Sequence, residues 1–272
     1  MAYITENLSD GISVSVSTRE SETQLISNHI HNYNEIYYLC EGTARFFIGS
    51  EIINIREGDI VFVRSGILHK TMYTAGQYTK RLLVCFNDDF AGDAYTSIIT
   101  DMGAKKYIGI SPLKSIESEK LMQRLLGEFD RKKAHHLQMC ACILGELLIT
   151  LSRQRETDTA KTLNANDAIM QSAAKYITDN YSEDFTLTAL AERFAMSPSH
   201  FSKTFKSSTG FGVSEYITAV RLANAEKMLL EKKISVTEVA SRCGYNDSNY
   251  FASVFKKKNG ITPHKFAAMH RN

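Results

Sequence analysis

The chain has 272 residues, 43% of them hydrophobic and 23% charged, with a formal net charge of +2. That length exceeds the usual single domain and the mix is ordinary for a globular protein, so two globular domains are expected. No run approaches the ~18 apolar residues of a membrane span, and Met1 to Asp10 has neither a basic nor an apolar leader region, so no membrane association is expected and the cytoplasm is the expected compartment.

Up to about Phe86 the chain is strand-like. Glu35 to Cys40, Ala44 to Ile48, Ile52 to Arg56, Ile60 to Val63 and Lys80 to Phe86 are short runs of Tyr, Phe, Ile and Val. Turn signals such as Glu41-Gly42-Thr43, Gly49-Ser50 and Glu57-Gly58-Asp59 separate them, which predicts a barrel or sandwich. From Ser115 to Arg153 the period changes: Leu121, Leu125 and Leu126, then Ile143, Leu144, Leu147, Leu148 and Leu151 recur at helical spacing. Gln154 to Asp167 is polar and aperiodic, the expected domain boundary. Everything after it reads as helix, through Ile169 to Ile177, Leu187 to Phe194, Pro198 to Ser207, Val213 to Glu231, Val236 to Cys243 and Ser248 to Lys258. The expected division is therefore 1–112 barrel, 113–153 helical pair, 154–167 linker and 168–272 all-helical domain.

Cys40, Cys85, Cys140, Cys142 and Cys243 are an odd, scattered set without Cys-x-x-Cys spacing, which argues against a disulfide framework or a thiolate metal site. They read as reduced and mostly buried. Charge is split unevenly. Up to Ala168 there are 18 basic against 21 acidic residues, after it 14 against 9, and from Ser199 onward 12 against 5. A polyanion partner for the C-terminal part alone fits that asymmetry.

An internal repeat sharpens this. Leu187, Leu190, Ala191 and Phe194 superpose on Val236, Val239, Ala240 and Cys243 at an offset of 49, with apolar positions at i, i+3, i+4 and i+7 in both. Phe201, Phe205, Lys206 and Gly210 then match Phe251, Phe255, Lys256 and Gly260 at an offset of 50. Helix, turn and helix, occurring twice, is what this describes. Ser197-Pro198 and Asp247 are N-caps of the second helix in each copy, and Ser235 with Glu238 makes a capping box. Gly244 serves the second short turn, whereas the first must turn at Ala195-Met196 without glycine.

With the phenylalanines inward, Ser199, Lys203 and Lys206 turn outward with Ser202 on the flank; in the second copy the set is Asn249, Ser253 and Lys256 with Ala252 on the flank. Short polar side chains and lysines suit base edges and phosphates of a major groove. A solvated surface would explain one such helix; two copies, each behind its own scaffold helix and each followed by lysine, favour double-stranded DNA. Val213 to Glu231 would span roughly 28 Å of helix between the copies, close to one DNA turn of ~34 Å.

These residues, with Leu190-Ala191-Glu192, Ser197-Pro198-Ser199-His200-Phe201, Arg221-Leu222, Cys243-Gly244-Tyr245, Tyr250-Phe251 and Thr262-Pro263, resemble the AraC/XylS DNA-binding domain over nearly all of 168–272. The resemblance implies base-reading positions at Ser199, Ser202 and Lys203 and at Ser248, Asn249, Ala252 and Ser253, with Lys206, Lys256 and Lys257 on phosphates. Where family members carry Arg, Gln or Trp, this chain has Ser, Ala and Lys, so readout of DNA shape gains weight.

In the barrel-like half, His29-x-His31-x3-Glu35-x6-Gly42 followed by Gly58-x5-Arg64-x-Gly66-x2-His69 resembles the two cupin motifs, with Arg64 in place of a usual proline and Tyr73 in place of a usual asparagine. In metal-binding cupins those histidines and the glutamate are ligands, so one reading is a metal-dependent enzyme fused to a DNA-binding module, with His29, His31, Glu35 and His69 on Fe, Mn, Ni or Zn. The other, preferred, is a regulator's effector pocket with no cofactor and no catalytic residue. It would use His29, His31, Glu35, Tyr37 and His69, and Tyr33, Tyr37 and Phe47 would suit stacking on a sugar face. No Gly-x-Ser-x-Gly elbow, Walker loop, dinucleotide fingerprint or His-Glu-x-x-His is present, and His135-His136 beside Cys140-Ala-Cys142 reads as surface or core packing rather than a metal cluster, because adjacent i, i+1 residues do not share a helix face. The expected whole is a non-enzymatic, homodimeric regulator, paired through the helices of 113–153, with DNA and a small, sugar-like effector as partners and RNA polymerase as a further candidate.

Overall fold

The computed structural model describes residues 8, 10–19, 30–74, 76–105, 107–108, 112–153, 163–230 and 234–270. Eight strands come first: β1 (Ile12–Arg19), β2 (Asn34–Glu41), β3 (Thr43–Ile48), β4 (Glu51–Arg56), β5 (Ile60–Val63), β6 (His69–Tyr73), β7 (Thr79–Phe86) and, further on, β8 (Tyr107–Ile108). Between β7 and β8 lie α1 (Asp88–Ala91), a 3-10 turn and α2 (Thr96–Lys105), helices the periodicity did not mark. The pair α3 (Pro112–Arg131) and α4 (His136–Ser152) follows. All pairing is antiparallel, in a five-stranded sheet ordered β1-β7-β2-β5-β8 and a three-stranded sheet ordered β4-β3-β6.

Strand alternation sorts the apolar residues into three layers. Tyr37, Leu39, Phe46, Ile48, Val61 and Val63 fill the space between the sheets. Ile36, Tyr38, Phe62, Leu82 and Val84 leave the other face of the large sheet and pack under Leu121, Leu125, Ile143, Leu144, Leu147 and Leu148 of α3 and α4. Phe47 and Ile52 leave the small sheet on its far side. Phe47 was expected to line a pocket; instead its ring meets Phe211 at 5.6 Å and Tyr216 at 5.5 Å, edge to face, because it is odd in register where Phe46 is even.

The remaining helices are α5 (Ala165–Asp179), α6 (Leu187–Arg193), α7 (Pro198–Thr209), α8 (Val213–Leu230), α9 (Val236–Arg242), α10 (Ser248–Asn259) and α11 (Pro263–His270). Helices α6 and α7 form the first helix-turn-helix unit, α9 and α10 the second. Caps sit where the sequence puts them: Ser197 accepts from His200 N–H, Asp247 from Asn249 and Tyr250 N–H, and Ser235 from Glu238 N–H. The capping box is only half formed, since the Glu238 carboxylate takes Arg242 Nη2 at 2.6 Å instead of turning back to the cap. The glycine-free turn is achieved by Ala195 at φ 54°, beside Gly244 at φ 78° in the second unit.

The first unit is docked on the small sheet. Besides Phe47, Tyr216 donates to the Gly49 carbonyl (2.9 Å), Gln171 accepts from Ile52 N–H (2.9 Å) and Lys70 Nζ donates to the Gly210 carbonyl (2.6 Å). That last carbonyl lies at the C-terminal, negative end of α7. Arg45 holds the buried Asp167 at the start of α5 by two contacts of 3.2 and 3.1 Å. The second unit has its own core of Leu222, Leu229, Val239, Ala240, Phe251 and Phe255, with no barrel residue in it.

Candidate functional site

On α7, Phe201 and Phe205 are fully buried, which leaves Ser199, Lys203 and Lys206 exposed and Ser202 half-buried. On α10, Phe251 and Phe255 do the same, leaving Asn249, Ser253, Lys256 and Lys257 exposed with Ser248 and Ala252 half-buried. All ten sequence-predicted residues are therefore exposed or half-buried, four on α7 and six on α10. Lys258, next in line, is not: it is buried and paired with Glu226 of α8 at 2.8 Å. Three consecutive lysines thus split into two that face solvent and one in the core. The joining helix α8 has 18 residues, or about 27 Å, since Glu231 lies outside the described residues.

Inside the barrel, His31, Glu35 and His69 come together and His29 lies outside the described residues. Nε2 of His31 stands 3.2 Å, and Nε2 of His69 3.7 Å, from one oxygen of Glu35. Both rings are fixed from behind: His31 Nδ1 donates to the Tyr33 carbonyl (2.8 Å) and His69 Nδ1 to the Ile67 carbonyl (2.9 Å). A carbonyl can only accept, so the proton is on Nδ1 and both Nε2 atoms face the carboxylate. Positive charge, as protons or as a cation, is what that arrangement takes. Burial alone would push the Glu35 carboxyl up; the hydrogen bonds from His31 and His69 and the charge on those rings hold it well below the usual carboxylate range.

Aromatic rings enclose this group. Tyr33 stacks on His31 at 3.8 Å and Phe46 lies parallel to His69 at 6.3 Å. Tyr37 is fully buried, its hydroxyl 3.2 Å from that of Tyr73, the residue that replaces the usual cupin asparagine. Arg64 ties the neighbouring loop down through Asn34 (2.8 Å) and both oxygens of Asp88 (2.6 and 2.9 Å). Sequence reasoning missed Arg81, which shares the inner face of β7 with Leu83 and lies 5.6 Å from the Tyr37 ring centre. Period two from Leu83 was the available signal.

His31, Glu35 and His69 have the donor chemistry of a divalent transition-metal site, and the carbonyl bonds behind both rings are the kind that orient imidazole ligands. Their ligand atoms lie within 4.8 Å of one another. All five cysteines are free, and Cys85, Cys140 and Cys243 are buried. No helix among the described residues is long and apolar enough to cross a membrane.

Two helix-turn-helix units with outward polar faces, one of them seated on a barrel with a polar interior, define a DNA-binding regulator with a sensor domain. Residues 11–148 match the family model described as an AraC-like ligand binding domain and residues 190–269 that of a helix-turn-helix domain, and the chain belongs to the AraC family of transcription regulators. It is 25% identical over 242 residues to the HTH-type transcriptional activator RhaR of Mannheimia succiniciproducens, covering 88% of this chain and 86% of that one. To RhaR of Escherichia coli O139:H28 it is 20% identical over 264 residues, 94% and 91% of the two chains. Among solved structures, the DNA-binding domain of AdpA in complex with a target DNA is similar over 38% of this chain and 92% of that one, at 27% identity and a TM-score of 0.37. ToxT of Vibrio cholerae covers 96% and 98%, at 11% identity and a TM-score of 0.38.

Proposed function

We propose that this regulator works in the cytoplasm as a homodimer and has no catalytic role, with a small polyhydroxylated effector bound among His31, Glu35, Tyr37 and His69, and with His29 joining them. The barrel (1–112), helical pair (113–153), linker (154–167) and DNA-binding part (168–272) divide the work. Ser199, Ser202, Lys203, Ser248, Asn249, Ala252 and Ser253 read bases, and Lys206, Lys256 and Lys257 hold phosphates. The observation that carries the reading is the pair of equivalent helix faces, polar and solvent-reachable, on α7 and α10. Dimerisation falls to α3 and α4, where Ile116 and Met139 are 49% and 43% exposed. RNA polymerase is a further partner in keeping with relatives named as activators.

Binding to promoter fragments from the gene's own neighbourhood, measured across a salt series, tests this. Affinity that falls steeply with salt and weakens in Lys203→Ala supports it; no binding at low salt overturns it.

A second reading of the pocket has one specific observation behind it, the fixed Nδ1 protons that aim two Nε2 atoms at a shared carboxylate. They would hold a divalent metal, which would supply a Lewis-acidic centre for effector oxygens. Elemental analysis of the purified protein, beside His69→Ala, decides between a metal-assisted and a metal-free pocket: stoichiometric metal lost in the variant supports the former, its absence from both the latter.

A further inference from the structure

The alternation of β7 sends Leu82 and Val84 out toward α3 and α4 and leaves Arg81 and Leu83 facing the barrel interior. A guanidinium in that position is unusual company for Tyr37, Phe46 and Val61. It is half-buried, and its Nε donates to Ser17 Oγ of the neighbouring strand at 2.8 Å. Its four terminal N–H donors meet no acceptor among the described residues, and no described carboxylate stands within ion-pair distance of it. Glu35, the acid whose charge acts on it, is already engaged by two imidazoles. Arginine stays protonated, and its planar fork matches a carboxylate with two parallel hydrogen bonds.

The barrel interior therefore offers two chemistries. Glu35, His31 and His69, with the Tyr37 and Tyr73 hydroxyls, are suited to sugar hydroxyls, and Arg81 to an anionic group. A half-buried cation without a counter-ion costs free energy that an anionic ligand would recover. A neutral sugar leaves that cost in place.

We propose that the effector is a sugar acid, its carboxylate held by Arg81 and its hydroxyls by the Glu35 cluster. This rests on the barrel interior being the effector pocket. The proposal selects uronic and aldonic acids over the neutral sugars from which they derive.

The full-length protein is tested by calorimetric titration and thermal shift against matched sets of an aldohexose or aldopentose, its uronic and aldonic acids, and the neutral uronamide. The expected result is that an acid binds roughly 10- to 100-fold more tightly than its neutral sugar and its amide, and that Arg81→Gln removes this preference while Arg81→Lys keeps part of it. The preference in the unmodified protein needs no variant to fold. Equal binding of acid and neutral sugar, both lost in Glu35→Gln, overturns the carboxylate proposal and leaves the pocket standing. No shift with any member of any set overturns both.

Discussion

Phe47 and Lys70 face each other across β3 and β6, and both leave the barrel for the first helix-turn-helix unit. Their predecessors in sequence, Phe46 and His69, are diagonal neighbours with parallel rings and lie on the pocket side. Adjacent residues on the same two strands thus touch the candidate effector site and the DNA-binding part. Along β6, His69 on the pocket side is followed directly by Lys70, whose ammonium donates to the Gly210 carbonyl on the end of α7.

Phe47→Ala removes the ring that meets Phe211 and Tyr216 at this junction. A fully buried phenylalanine truncated to alanine costs about 3–5 kcal/mol, so urea denaturation should show a loss of that order. A change under about 1 kcal/mol would mean that the junction does not hold in solution.

The two short turns respond oppositely to exchange of their residues. Ala195 sits at φ 54°, a left-handed conformation that costs a non-glycine residue about 1–2 kcal/mol, so Ala195→Gly should be neutral to stabilising by about 0.5 kcal/mol once glycine's extra unfolded-state entropy is subtracted. Gly244→Ala should destabilise by more than 1 kcal/mol. Its Cβ would come within 2.6 Å of the Ser182 carbonyl oxygen and 2.8 Å of Arg221 Nη2. Thermal melts of both variants check the pair of signs.

For DNA, Lys206→Ala should weaken all sequences alike and reduce the salt dependence of log K by about 0.9, the value of one phosphate contact. Asn249→Ala should instead cost about 1–3 kcal/mol at one base pair and relax the preference there. Binding to a set of single-base operator variants at two or more salt concentrations separates the two behaviours. A lysine variant with an unchanged slope would remove Lys206 from the phosphate set.

Asp88 gives the pH prediction. Hydrogen bonds from Arg64, opposed by burial and assisted by Asn34, hold its carboxyl below the ordinary 3.8. A lowered folded value means the stabilisation is present above 3.8 and disappears as pH falls through the folded value, so the effect belongs to the acid side alone. With the Asp88 side chain 52% exposed, the gain in stability is small. Arg64→Ala should return the Asp88 titration toward 3.8, as followed by carboxyl NMR.

The helical half was the more legible because its signal is local. A 49- or 50-residue offset carries buried phenylalanines, caps and turns together, and each of those acts within a few residues. The barrel was legible as a class but not in its facing. Ile12-Ser-Val14-Ser-Val16-Ser17 alternates cleanly, yet a serine-rich strand lacks the apolar weight that marks the others, and β1 went unread. Phe46 and Phe47 are indistinguishable until pairing with β6 fixes which one shares a face with His69. Arg81 was invisible for a related reason: an arginine in a strand reads as surface until the register places Leu83 inside. Of the candidate effector residues, motif spacing singled out His31, Glu35 and His69, which the fold brings together although 33 residues lie between Glu35 and His69.

Among the described residues, the small sheet is held to the first helix-turn-helix unit and its flanking helices, and the core of the second contains no barrel residue. Tyr216, Lys70 and the Arg45–Asp167 contact bind the small sheet to the first unit, while the second is carried at the far end of α8. The three bodies are connected in series, like links of a chain. The first unit is thus tied to the barrel by direct contacts, and the second through the 18-residue arm.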